Sequence, residues 1–146
     1  MKKLIRVLCV VLALSMVLAM PAYAQTAVES RASIFFAAYG AALFKNSSTS
    51  FEIWFDVDSN AARMDVIGVS EIIVYRSSNQ QSWMEVLRFD MEDHPEMIDT
   101  YTYSHAGHVT VNHAMSGYYY MADVTFYAKD YRGVGERYVY TDILLM

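Results

Sequence analysis

Residues 117–128 read GYYYMADVTFYA, and few stretches constrain a fold as tightly. Successive side chains of a strand point to opposite faces. Tyr118, Tyr120, Ala122, Val124 and Phe126 therefore share one face, and Tyr119, Met121, Asp123, Thr125 and Tyr127 share the other. The first set is the expected core face. The same period-two pattern recurs at Phe51, Ile53, Phe55 and Val57, set against Glu52, Trp54, Asp56 and Asp58, and again where Ile72 and Val74 alternate with Ile73 and Tyr75. Helical spacing is hard to find beyond the first residues.

Further strands are expected over 83–89, 107–113 and 138–144, with a polar hairpin loop at 77–82 and a turn over 129–136, where Gly133 and Gly135 sit. Residues 31–45 are Ala-rich enough for a helix and equally readable as a first strand broken at Gly40; the strand is the reading taken. The segment 90–99 places Asp90, Glu92, Asp93, Glu96 and Asp99 around Pro95, which makes a poor strand and a natural surface loop or short helical turn. About seven strands with no alternating helices predict an all-β, antiparallel β-sandwich. In such sandwiches a tyrosine two residues before an inter-sheet core position bonds back to the backbone at a corner, and Tyr120, two before Ala122, occupies that place.

The chain opens on MKKLIR, an apolar run over 7–20, and PAYA before Gln25. A basic start, a short apolar middle and small residues at Ala22 and Ala24 are the parts of a secretory signal peptide, with cleavage expected after Ala24. The run is shorter than the roughly 20 apolar residues a spanning helix needs, so no membrane span is expected in the mature chain and the destination is extracellular. Cys9 lies behind Arg-Val-Leu rather than behind small residues, so no lipid anchor is expected there. The resulting organisation is a signal peptide at 1–24, an N-terminal arm with a first strand at 25–49, and the sandwich at 50–146. Cleavage removes Lys2, Lys3, Arg6 and the single cysteine. That leaves eight Lys plus Arg against sixteen Asp plus Glu, a formal charge of −8, and no possible disulfide. An acidic surface without a basic cluster repels phosphate backbones, so a nucleic acid is not an expected partner.

The pattern Gly117-x-x-Tyr120-x-Ala122-x-Val124, followed by Ala128 and a glycine-containing hairpin, resembles strand F of fibronectin type III and other immunoglobulin-like domains. Ile72-Ile-Val74-Tyr-Arg76, a polar loop and Trp83 resemble their C–C′ hairpin. With Met64-x-x-Ile67-Gly68 added, residues 50–143 are similar to small secreted immunoglobulin-like proteins of Gram-positive, often gut-dwelling, bacteria. The resemblance implies packing, not chemistry, and carries no family active site. One departure is clear: the tryptophan that fibronectin type III domains bury on strand B has no counterpart in register, because Trp54 falls on the face opposite Phe51, Ile53 and Phe55.

Candidate sites follow from the residues left outside the core. Asp56-x-Asp58-x-Asn60 imitates the opening of a calcium loop, but Ala61 and Ile67 stand where glycine and the closing carboxylate belong; acidic residues on a wet strand face are the simpler account. His94, His105, His108 and His113 are scattered, and only His105 and His108, across a loop containing Gly107, could meet at a metal. They are the basis of the alternative reading, a small secreted metal-dependent enzyme. No Gly-x-Ser-x-Gly or mature thiol supports nucleophilic catalysis. No cofactor is expected.

The remaining feature is aromatic. If the strands of Tyr75, residues 117–128 and the C-terminal strand share a sheet, then Ile73, Tyr75, Tyr119, Met121 and Tyr127 share its outer side, joined by Tyr138 and Tyr140 or by Val139. Such a face serves recognition of a protein, peptide or glycan, or self-association, because tyrosine and methionine bury large area with little loss of freedom. Equally, it serves cross-strand packing beneath the N-terminal arm. Trp54, alone among acids on the other sheet, is a further contact candidate. The function expected is that of a secreted, non-catalytic binding or adhesion module.

Overall fold

The structure is a computed structural model that describes residues 34–60 and 62–146. The expected signal peptide at 1–24 and the first part of the N-terminal arm lie outside the described residues. Among the described residues nine strands form: β1 (Phe36–Lys45), β2 (Ser50–Ser59), β3 (Met64–Ser77), β4 (Met84–Asp90), β5 (Ile98–Thr102), β6 (Ser104–Asn112), β7 (Tyr119–Asp130), β8 (Gly133–Tyr140) and β9 (Leu144–Leu145). A 3-10 turn, Pro95–Met97, precedes β5. Among the described residues no helix is long and apolar enough to cross a membrane.

The strands divide between two antiparallel sheets. One has three strands in the order β1-β2-β6. The other has six, with the path β4-β3-β7-β8, β5 on the free length of β3 and β9 on that of β7. β3 and β7 are the long spine of this sheet, at 14 and 12 residues, and each outruns its neighbour. An unpaired length of strand leaves N–H and C=O groups without partners; β5 and β9 cover these, and they are why the strands number nine rather than about seven.

The inner faces are the ones that period two selects. Phe51, Ile53, Phe55, Val57, Val109 and Val111 come from the three-stranded sheet, and Ile72, Val74, Tyr120, Ala122, Val124, Phe126 and Ala128 from the six-stranded one; all are buried in one cluster. Ring pairs join the sheets, with Phe51 and Tyr120 at 5.1 Å between centroids and Tyr39 and Phe126 at 5.3 Å. Burying such rings removes apolar area from water at about 25 cal/mol per Å².

Three local expectations are corrected. β1 runs unbroken through Gly40, which pairs with Asp56. The turn expected over 129–136 is only Tyr131 and Arg132. Asp130 closes it by accepting the Arg132 backbone N–H at 2.7 Å and its guanidinium at 2.5–2.6 Å, and this ion pair holds the Asp130 carboxyl below its usual range. The last long strand is consequently Gly133–Tyr140, not 138–144.

The acidic segment 90–99 holds the short helical turn expected of it, and β5 begins within it. Asp90 accepts the N–H groups of Glu92 and Asp93, each at 3.0 Å, the 3-10 turn follows, and Ile98 opens β5. Met97 is fully buried. Gly68 makes this possible: at φ +153° a Cβ there would stand 2.3 Å from the Met97 carbonyl oxygen, so only glycine lets β3 approach the segment this closely.

Candidate binding surfaces

β7 displays the expected aromatic face. Its odd-numbered residues Tyr119, Met121, Asp123, Thr125 and Tyr127 are all partly exposed on the outer side of the six-stranded sheet. Register sets Tyr75 opposite Met121 and Ile73 opposite Asp123 on one flank, and Tyr140 opposite Asp123 and Tyr138 opposite Thr125 on the other. Of the two options for β8, Tyr138 and Tyr140 therefore join the face, while Val139 packs against the core. Tyr138 is 71% exposed and Tyr140 57%, so their rings stand in water beside half-buried neighbours.

Asp123 sits in the middle of this face. One carboxylate oxygen, Oδ1, is buried without a hydrogen-bond partner among the described residues. Burial is the main cause that pushes the carboxyl above its usual range; a hydrogen bond from the Tyr140 hydroxyl acts against this, and the charge of Glu71 adds to it. Reciprocally, the Asp123 charge is the main reason the Tyr140 phenol is pushed up. Arg88, opposite Ile73, does not neutralise Asp123. It bonds Glu85 at 3.1 Å and also Glu71, partners that raise its own pKa. Glu71, Glu85, Asp123 and Glu136 thus outnumber Arg88 and Lys129 on this side of the sheet.

Tyr120 and Tyr118 do something else. Tyr120 is buried, and its hydroxyl accepts the Met115 backbone N–H at 2.8 Å, tying the connection before β7 to the core. The Tyr118 ring lies under the Arg76 guanidinium at 4.9 Å.

The outer face of the three-stranded sheet is built from rows across its strands. Ala42, Trp54 and His108 form one row, Gly40, Asp56 and Ala106 the next, and Phe44, Glu52 and Thr110 a third. Trp54 is 44% exposed. One side of its indole stacks on the His108 imidazole, with centroids 4.8 Å apart and planes at 17°. Phe44 meets it edge-on at 6.3 Å and 83°, and its N–H donates to Glu52 Oε2 at 2.8 Å. Beside it lies an open depression of about 460 Å³, lined in part by Gly40, Ala42, Phe44, Trp54, Asp56 and Ala106.

The histidine pair is separated. Gly107 is inside β6 rather than in a loop, so His105 and His108, three apart on a continuous strand, face opposite sides. His105 packs on Phe55 at 5.7 Å, with Nε2 3.1 Å from the Glu96 carbonyl oxygen, while His108 lies against Trp54. His94 pairs with Glu96 at 2.9 Å, which lowers the Glu96 pKa. Among the described residues no three His, Cys, Asp or Glu side chains group as metal ligands would. Asp56 and Asp58 stand two apart on one face of β2, and Asn60 lies past its end.

Sequence reasoning missed Asp123 as a buried charge and Phe44 as the partner of Trp54. Asp123 stood in the outward set of residues 117–128, but its burial depends on Ile73 and Tyr140, which arrive from other strands. Phe44 pairs with Glu52 only through the β1–β2 register. No protein-family model matches the chain, and no curated protein matches it.

Proposed function

We propose that this chain is a secreted, non-catalytic recognition module of immunoglobulin-like, fibronectin type III-like build, similar to the small secreted domains of Gram-positive bacteria. Two features support that build: the strand orders β1-β2-β6 and β4-β3-β7-β8, and the Tyr120 hydroxyl bonded back to Met115 as in a tyrosine corner. The module engages a protein or peptide through the outer face of the six-stranded sheet. The observation that carries this reading is the ring of Tyr75, Tyr119, Met121, Tyr127, Tyr138 and Tyr140 around a carboxylate whose Oδ1 has no partner among the described residues. Large amphipathic side chains half in water, around an uncompensated negative charge, fit a partner that brings a basic group and aromatic-compatible area.

The test uses the two most exposed rings, because Tyr75, Tyr119 and Tyr127 are half-buried and their loss would also cost stability. Immobilised wild-type protein should retain a partner from the native extracellular medium and release it at high salt. Tyr138→Ser combined with Tyr140→Ser should lose it while remaining folded, with the melting temperature lowered only by the loss of the Tyr140 bond to Asp123. Undiminished capture by the double variant would move the contact surface elsewhere.

A further inference from the structure

The depression on the opposite sheet has a different character, and we propose that it is a carbohydrate site: it receives one pyranose ring of a neutral glycan, laid against Trp54 with its hydroxyls turned to Asp56. Three observations converge on this. The first is shape. The row Gly40–Asp56–Ala106, together with Ala42, makes a low floor, and Trp54 and Phe44 rise beside it as a wall. At about 460 Å³ the space lies within the range of small-molecule sites. Gly40 helps keep the floor low, since a Cβ there would stand against Asp56 Oδ1 at a contact distance of 3.4 Å.

The second observation is that Trp54 is fixed before any ligand arrives. His108 covers one side of the indole, Phe44 abuts it edge-on, and Glu52 takes its only hydrogen-bond donor. The exposed part of Trp54 borders the depression, with its second π face as the surface that would take the sugar. Such a face carries partial negative charge and attracts the polarised C–H groups on the flat side of a sugar ring. A pre-positioned ring loses little freedom on binding.

The third is polarity. Glu52, Asp56 and Asp58 lie on this face, and an ionised carboxylate is an acceptor only. A ligand here must donate hydrogen bonds without being anionic. Sugar hydroxyls do so, and their ring fits an open dish better than an extended basic side chain, which calls for a slot.

The experiment titrates the full chain with soluble neutral polysaccharides (glucan, mannan, galactan and xylan), using affinity electrophoresis and the fluorescence of Trp54 in a Trp83→Phe background. At least one polysaccharide should retard the protein and shift the Trp54 emission. Trp54→Ala, Asp56→Asn and Ala106→Trp, which fills the dish from its floor, should each weaken that binding about tenfold or more. Tyr138→Ser with Tyr140→Ser should leave it intact. The inference falls if no polysaccharide binds, if Trp54→Ala or Ala106→Trp binds as wild type does, or if the tyrosine variant alone abolishes binding. It falls equally if oligolysine quenches Trp54 while no sugar does.

Discussion

Asp123→Asn should stabilise this protein at neutral pH. In the native state Oδ1 is cut off from water with no partner among the described residues, while the rest of the carboxylate keeps a bond from Tyr140. A buried acceptor left unsatisfied costs about 1–3 kcal/mol, and more when it carries charge. An asparagine keeps an acceptor for the Tyr140 hydroxyl, removes the charge and relieves the repulsion from Glu71, against the smaller cost of placing an amide N–H₂ there. Because Asp123 is only partly buried, solvent screening trims these terms, and the balance is about 1 kcal/mol in favour of the variant, or roughly 4 °C for a domain of this size.

The pH dependence is more diagnostic than the size. The folded carboxyl binds its proton more tightly than the unfolded one, because its pKa is raised. Its contribution to stability is therefore fully present below the ordinary aspartate range and is lost as pH rises through the folded value. Urea melts of both proteins from pH 3 to pH 8 isolate it, since the two chains differ at this one side chain. The variant should gain on wild type as pH rises and hold a constant lead above the folded pKa. A variant that is less stable at pH 7, or a difference that does not change with pH, would refute the reasoning.

Two further outcomes test the fold. Tyr120→Phe removes the acceptor of the Met115 N–H at the entry to β7; chemical denaturation should show a loss of about 1–2 kcal/mol with the core otherwise intact. Gly68→Ala places a Cβ 2.3 Å from the Met97 carbonyl at a backbone angle that only glycine adopts comfortably. It should cost more than about 2 kcal/mol, and hydrogen exchange should show loosening concentrated in β5 and the 3-10 turn before it.

A charge that destabilises the fold where it stands is easier to understand if it does something else. Proteins commonly keep such costs where binding or activity needs them. On that view Asp123→Asn should trade affinity at the tyrosine face for stability, so the variant that melts highest should be the poorer binder.

The alternation within residues 117–128 and within β2 told the sequence reader which side chains would be covered, placed Tyr120 inside and put Trp54 outside. That much is local: a strand's faces follow from its own backbone, whatever it pairs with. The strand at 83–89 lies within a residue of β4, while that at 107–113 missed the first three residues of β6. The rest depended on partners. Met97 reads as part of an acidic loop until Gly68 lets β3 come close enough to bury it. The β7–β8 turn shrinks to two residues only because the Asp130 side chain folds back onto Arg132. Ala42, Trp54 and His108 fall into one row, and Asp123 between Ile73 and Tyr140, through the pairing register of separate strands. Register is set by turns and by the packing of both sheets at once. Alternation along one strand carries no information about what lies across from it, and both candidate surfaces are made of residues that lie across from one another.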